Sequence, residues 1–273
     1  ENTLDMAPNS LDDQYLGCRH MMEKELQELN RTEFETNSIY AEVWKEATAE
    51  WQRRGPQSSV LKPEQEIALM AYTLETPSLY KEFNAAVRAG RPSREEYMLK
   101  FQFKVLHFLL SSALRALRDA QPHKCYHVFR GVSNNLNAKP GDTVRFGQFA
   151  STSLNSVCAE QFGTGTIFSV QTCYGVPIKK FSFFPDEDEV LIPPFETFEV
   201  TSVTRKGNTV RIELRAQAVC NKYNCEFVKE KYCKNQPCDF SAADTDCPSL
   251  NSPGQRVSWD PLWGFLLAAT ALA

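Results

Sequence analysis

Two glutamates one residue apart, Glu187 and Glu189, stand inside Phe183-Phe184-Pro185-Asp186-Glu187-Asp188-Glu189-Val190-Leu191-Ile192-Pro193-Pro194. Four consecutive acids run straight into an apolar, β-favouring segment. In an extended strand, side chains two residues apart project to one face. The spacing predicts Glu187 and Glu189 together, with Asp188 pointing away. Two carboxylates on one face repel each other unless positive charge sits between them. The chemistry this suits is stabilisation of a cation, bound or developing. The competing reading is a solvated acidic turn, which for charge runs is the commoner case.

Two more polar sites accompany it. Phe129-Arg130-Gly131 closes an apolar run. An arginine there buries its stem and offers a fork that matches phosphate oxygens, or simply makes a structural salt bridge. Gly131 lets a ligand approach the backbone closely. Upstream of the acids, Gly147-Gln148 leads into Phe149-Ala150-Ser151-Thr152-Ser153. Its three hydroxyls follow a predicted strand and are placed to cap a helix over 154–161.

The elements that must hold these groups fall into two halves. Ser10 and Asp13 form a capping-box pattern ahead of a helix over 11–29. Residues 38–53 carry Ile39, Val43, Trp44, Ala47 and Trp51 at helical spacing. Pro63 opens a helix through Met70 and Tyr72. Ser78 caps another with Tyr80, Phe83, Ala86 and Val87, which Gly90-Arg91-Pro92 ends. Ser93-Arg94-Glu95-Glu96 starts one long helix to about residue 120, with a broad apolar face from Phe101 to Leu117. After Pro122 the period changes. Short β-rich runs occupy 126–129, 143–146, 166–170, 190–192, 198–200 and 210–214, and Lys206-Gly207-Asn208 reads as a hairpin turn. Helices first and strands afterwards predict an α+β domain over 1–238, helical to about 120 and β-rich from 121. No G-x-G-x-x-G occurs, so nucleotide chemistry here does not rest on a Rossmann fold.

The net charge of −4, with lysines and arginines scattered, gives no support for nucleic-acid binding. Nine widely spaced cysteines suit disulfides in an oxidising compartment, and the odd count leaves at least one unpaired within the chain. Cys158 reads as a small buried apolar residue. Cys233 and Cys238 have no histidine nearby to complete a zinc site, so no metal is expected and the two are a candidate disulfide. Asn30-Arg31-Thr32 is a glycosylation sequon. Residues 239–258 are small and polar, and 259–273 are apolar to the last residue. That tail is too short to span a bilayer but matches a lipid-anchor signal. The expectation is a polar stalk with the attachment site between 239 and 252, a hydrophobic signal removed at 259–273, and a protein on the extracellular face of the membrane, GPI-anchored or secreted.

An arginine, a Ser-Thr-Ser and a Glu-x-Glu, in that order on successive β elements, resemble the mono-ADP-ribosyltransferases. Val128-Phe129-Arg130-Gly131-Val132, Phe149-Ala150-Ser151-Thr152-Ser153 and the run from Glu189 to Phe198 look like the arginine-specific vertebrate ecto-enzymes of that family. Lys81-Glu82-Phe83-Asn84-Ala85-Ala86-Val87-Arg88 and Tyr223-Asn224-Cys225-Glu226 add to the match, which covers about 10–235. The resemblance implies a β-rich NAD-binding core of the ADP-ribosyltransferase type. It implies cleavage of the nicotinamide–ribose bond of NAD, or NADP, as substrate rather than resident cofactor. ADP-ribose then passes to arginine on extracellular proteins. Positive charge develops on the ribose in such a reaction, and a fixed carboxylate beside it is electrostatic catalysis.

On this resemblance Glu189 matches the catalytic glutamate, and Arg130 the arginine that anchors NAD. Ser151 matches the serine that supports the ribose and orients the glutamate. Gly131 would offer backbone bonds to the nicotinamide amide, and Gln148 belongs to the same NAD-contacting set. Glu187 goes with arginine as acceptor. Phe183 and Phe184 lie on the target-recognition loop, one as an apolar wall for the acceptor (Phe184) and one as core. Asp188 stands where a third glutamate is frequent. The family's disulfides map to Cys18–Cys225 and Cys125–Cys173, which leaves Cys158, Cys220 and Cys247 unassigned. The expected form is a monomer. Two rival readings share the fold: an NAD glycohydrolase with water as acceptor, and a catalytically silent surface antigen.

Overall fold

A computed structural model of the chain describes residues 2–90, 93–122, 124–236 and 238–240. The described chain opens on a short strand, β1 (Asn2–Thr3), and runs irregularly to Cys18. Six helices follow: α1 (Arg19–Thr36), α2 (Ser38–Arg54), α3 (Pro63–Thr73), α4 (Leu79–Arg88), α5 (Arg94–Lys100) and α6 (Lys104–Asp119). Local signals set three of their starts. Asn37 Oδ1 accepts the Tyr40 N–H at 3.1 Å to cap α2, Pro63 stands at the first turn of α3, and Ser93 Oγ accepts the Glu96 N–H at 3.1 Å.

Three helical expectations need correction. Ser78 precedes α4 but does not cap it through its side chain, because its Oγ donates back to the Glu75 carbonyl. The helix expected over 11–29 starts only at Arg19 and runs on to Thr36. The side chains read as a capping box are used elsewhere: Ser10 Oγ donates to the Gly147 carbonyl at 2.7 Å, and Asp13 accepts the N–H groups of Tyr15, Cys225 and Glu226 at 2.8–3.0 Å. Positive φ at Tyr15 (55°) and Gly17 (83°) also excludes a helix there. The long helix expected to residue 120 is two helices broken at 101–103. Its second part is capped across space, because the Glu33 carboxylate of α1 accepts the N–H groups of Lys104 (2.7 Å) and Val105 (3.1 Å).

The second half supplies β2 (Tyr126–Val132), β3 (Leu136–Asn137), β4 (Thr143–Val144), β5 (Ala150–Ser153), α7 (Ser156–Glu160), β6 (Thr166–Thr172), β7 (Val176–Pro177), β8 (Glu189–Ile192), β9 (Glu196–Lys206), β10 (Thr209–Val219) and α8 (Glu226–Tyr232). β1 lies parallel to β3. Among the described residues the other strands form one sheet in the order β4-β9-β10-β6-β2-β5-β8-β7. β10 runs parallel to β6; the remaining neighbours are antiparallel. The β9–β10 hairpin turns at Gly207-Asn208, where φ of +59° at Gly207 meets the conformation such a turn demands. Ser151, Thr152 and Ser153 form β5 itself rather than a cap. The helix after them is capped by Asn155, whose Oδ1 accepts the Val157 N–H at 2.9 Å.

The sheet is joined unevenly. β2 meets β6 along its whole length, but it meets β5 only at Phe129 opposite Ser153. Period-two alternation then sorts the β5 and β8 side chains. Ala150, Val190 and Ile192 enter a sheet core with Val128, Phe168 and Phe198. Phe149 and Leu191 enter the helical core with Tyr72, Phe83 and Leu110. Ser151, Ser153 and Glu189 share the face of Phe149 and Leu191, at the join with β2.

Disulfides link Cys18 to Cys225, Cys125 to Cys173 and Cys233 to Cys238, and Cys220 is disulfide-bonded too. Cys158 is a free thiol, half-buried rather than buried as expected. Asn30 lies within α1, where its Oδ1 accepts from the Tyr40 hydroxyl at 2.8 Å. No helix among the described residues is long and apolar enough to cross a membrane, and the anchor expectation over 239–273 lies outside them from 241 on.

One buried ion pair holds the irregular N-terminal segment to the sheet. Arg145 Nη1 donates to Asp12 at 2.6 Å and to the Cys220 carbonyl at 3.1 Å, while Asp12 also accepts the Lys222 and Tyr223 N–H groups at 2.8 and 3.0 Å. Burial pushes the Asp12 carboxyl up even with Arg145 beside it. Asp12→Ala leaves a buried guanidinium without its counter-charge and two N–H groups without their acceptor. The expected loss is about 3–5 kcal/mol of stability, read as a lower urea midpoint.

Candidate active site

Where β2 and β5 part, a cavity of about 460 Å³ opens between the sheet, α4 and α7. That volume suits a small-molecule ligand. Arg130, Gly131, Gln148, Ser151, Phe184, Glu187 and Glu189 all line it, so the residues singled out in the sequence meet at one place.

Arg130 rises from β2, and its Nη1 donates to the Ser151 carbonyl at 2.7 Å. That bond spans the gap between the strands and fixes the guanidinium under the cavity. Burial disfavours its charge, and the neighbouring Tyr72 and Glu189 offset part of this. Glu189 begins β8 opposite Ser153, diagonal to Ser151 on the same face. It is 5% exposed. Burial pushes its carboxyl up to about 7, Glu187 adds to the rise, and the Ser151 hydroxyl bond and Arg130 oppose it. An acid so placed changes charge near neutral pH.

Glu187 reaches the cavity by another route than the one expected. The chain there is not extended: Pro185–Glu187 is a 3₁₀ turn, and Asp188 has a φ of +45°. Ser153 Oγ donates to the Glu187 carbonyl at 2.6 Å and the Leu154 N–H to the Asp188 carbonyl at 3.2 Å, which holds the turn against β5. Glu187 is half-exposed, and burial and Glu75 raise its carboxyl. Asp188 does point away, pairing with Lys179 at 2.6 Å. Phe184 faces the cavity, whereas Phe183 packs on the helical core under the Arg54 guanidinium.

Gly131 has a different reason from the one read in the sequence. A Cβ there would fall 2.3 Å from the Ala159 carbonyl and 2.4 Å from that of Gly163. The glycine lets α7 close onto β2; the chain's own backbone fills that space.

Several lining residues were given no role at the site, although Lys81, Asn84 and Arg88 lie in the run that adds to the family resemblance. Tyr72 of α3 donates its hydroxyl to the Phe149 carbonyl (2.9 Å) and accepts from Asn84 Nδ2 (3.1 Å) and Ser151 Oγ (3.5 Å). Burial pushes its phenol up to about 12, so it stays protonated. The Asn84 Oδ1 is buried with no partner among the described residues. Tyr80, Asn84 and Arg88 stand four apart on α4, and Lys81 lies beside them. That i, i+4, i+8 polar stripe was the available signal. Among the described residues no group of three or more His, Cys, Asp or Glu is arranged to hold a metal ion.

The arrangement offers a guanidinium, further cations at the rim, a buried carboxylate oriented by a hydroxyl, and a second carboxylate nearer solvent. It can bind an anionic ligand and stabilise positive charge formed inside the cavity. Comparison with known proteins points the same way. The model of the family described as NAD:arginine ADP-ribosyltransferase matches residues 4–221. The erythroblast NAD(P)(+)--arginine ADP-ribosyltransferase of Gallus gallus is 54% identical over 266 residues, 96% of this chain and 87% of that protein. The GPI-linked NAD(P)(+)--arginine ADP-ribosyltransferase 1 of Homo sapiens is 48% identical over 286 residues, 98% of this chain and 84% of that protein. Among solved structures, the eucaryotic mono-ADP-ribosyltransferase ART2.2 aligns with a TM-score of 0.72 at 35% identity, over 82% of this chain and 99% of that one. A mutant of it in complex with NAD aligns with a TM-score of 0.71.

Proposed function

Because the chain belongs to the NAD:arginine ADP-ribosyltransferase family, we propose that its cavity binds NAD and that Arg130, Ser151, Glu189 and Glu187 carry out transfer of ADP-ribose to arginine. Arg130 holds the dinucleotide through its phosphates. The bond between nicotinamide and the ribose breaks with its electron pair leaving on nicotinamide, which neutralises the pyridinium. Positive charge appears on the ribose, facing the ionised Glu189, which Ser151 orients. The acceptor guanidinium lies against Glu187. A nitrogen of it attacks the ribose carbon and gives its proton to Glu187. The observation that carries this reading is Glu189: a carboxylate 5% exposed, lining the cavity with Arg130, Ser151 and Glu187, its charge favoured by the Ser151 hydroxyl and Arg130.

Incubation with labelled NAD and agmatine tests the function. Nicotinamide and ADP-ribosyl-agmatine are expected. Neither product would mean a silent surface protein, and free ADP-ribose alone would mean a glycohydrolase. Relatives named GPI-linked support a lipid anchor on the tail and a place at the cell surface. Protein that phospholipase cannot release from transfected cells, or that is found only in the medium, would count against the anchor.

Tyr72 sets a further expectation. Ser151 has one hydroxyl proton. It goes to Glu189 when that acid is ionised, and to Tyr72 when Glu189 is neutral, because the Tyr72 proton is already held by Phe149. Tyr72 thereby favours the neutral acid. Activity needs the ionised form, so it falls as pH drops through about 7. Tyr72→Phe is expected to move this acid limb of nicotinamide release to lower pH, by about half a unit. A limb that stays in place while the rate falls would leave Tyr72 a packing role alone.

A further inference from the structure

Most large apolar side chains of the described residues are buried, and three of the exceptions fall within nine residues at the mouth of the cavity. Leu154 is 46% exposed, Val157 68% and Phe162 52%. Scattered exposed apolar residues need no explanation, but a cluster at a site does. Phe162, with Cys158 and Ala159, faces inward and lines the cavity. Leu154 and Val157 do not. Leu154 stands just before the Asn155 cap and Val157 in the first turn of α7, three residues on, both exposed and neither lining the cavity. Leu154 donates its N–H to the Asp188 carbonyl at 3.2 Å, which sets the pair directly beside the turn that carries Glu187.

On the other side of that turn the rim is acidic. Glu75 lines the cavity and acts on Glu187, and Asp186 adjoins it on the 3₁₀ turn. The surface around Glu187 thus combines acids with a short apolar strip. An arginine of a folded or extended polypeptide reaches Glu187 only if the residues flanking it settle on this rim. The acids complement the charge of the arginine; Leu154 and Val157 complement something apolar beside it.

We propose that Leu154 and Val157 form a docking strip for the polypeptide acceptor, which takes an apolar side chain next in sequence to the arginine that is modified. The inference rests on the reading of the cavity as an arginine-modifying site. It adds a selection among arginines that the catalytic groups cannot make, because they meet only the guanidinium.

The test uses two synthetic nonapeptides, one with leucines flanking a single arginine and one with serines in their place, and agmatine as an acceptor with no flanks. The parent protein is expected to modify the leucine peptide with a kcat/KM about tenfold above the serine peptide, the factor that partial burial of two aliphatic side chains supplies. Leu154→Ser with Val157→Ser should bring the ratio close to one and leave agmatine modification unchanged. Equal use of both peptides by the parent, a preference that survives in the double variant, or loss of agmatine modification in step with the peptides overturns the docking strip. A parent protein that fails on agmatine overturns the arginine reading itself, a separate result.

Discussion

Glu189→Gln is expected to reduce nicotinamide release by at least about a thousandfold, with or without an acceptor present. Glutamine has the shape of glutamate and can still meet the Ser151 hydroxyl, so the change removes charge and little else. One full charge about 4 Å away is worth about 4 kcal/mol at an effective dielectric near 20. That corresponds to about three orders of magnitude in rate. NAD already carries the pyridinium charge, but the attraction grows as that charge moves onto the ribose beside Glu189, so most of the loss belongs in kcat and a smaller part in the KM for NAD. Turnover retained within tenfold would remove Glu189 from the reaction.

The same substitution is expected to stabilise the fold. The native state holds the Glu189 proton more tightly than the unfolded chain does, since burial raises its carboxyl from 4.5 to about 7. The parent therefore loses stability as pH rises from about 4.5 to 7 and does not regain it above. Glutamine carries no such dependence. At pH 8 the variant should melt above the parent, and the gap should narrow towards pH 5, where Glu189 is protonated. Inactivity combined with a higher melting temperature separates loss of a catalytic charge from loss of folding.

Much of the site was legible from the combination of its parts rather than from any one of them. Arg130, the Ser151 run and Glu189 each have an ordinary structural reading alone, as a salt bridge, a helix cap and an acidic turn, and it is their order along the β-rich half that resembles the family. The residues that were missed are hidden by their own neighbours. Tyr72 stands in the apolar stretch Ile67–Tyr72 and reads as core, which its ring is; only its hydroxyl reaches Ser151. Asn84 sits on a helix whose apolar spacing attracts the eye more than its polar stripe does.

The errors share a physical cause. Ser10 and Asp13 have the residue types of a helix cap, yet apart from the Tyr15 N–H their partners lie more than a hundred residues away, at Gly147, Cys225 and Glu226. Glu33 caps α6 from α1, and a sequence shows no such reach. The Glu187 expectation reached the right place for the wrong reason. Extended alternation was assumed, whereas a 3₁₀ turn and a left-handed Asp188 bring the side chain to the cavity. The parting of β2 from β5, which creates the cavity, depends on strand pairing that only tertiary structure sets.

Glu187→Gln is expected to divide the two outcomes of NAD cleavage. Transfer to agmatine should fall about a hundredfold, while release of nicotinamide to water stays within a few-fold of the parent. Glu187 is half-exposed and lines the cavity, whereas Arg130, bonded to the Ser151 carbonyl, is the group proposed to hold NAD. Its carboxylate offers an acceptor guanidinium a charge-assisted pair and a destination for the proton lost on attack; glutamine supplies neither. Water needs no such partner. The substitution also removes a negative neighbour that raises the Glu189 carboxyl. The acid limb of NAD hydrolysis should then move to lower pH, since less repulsion means Glu189 ionises more readily. A purely structural role would depress transfer and hydrolysis together and leave that limb where it stands. Such a result would place the acceptor guanidinium against some other group of the cavity, with Glu75 the first to examine.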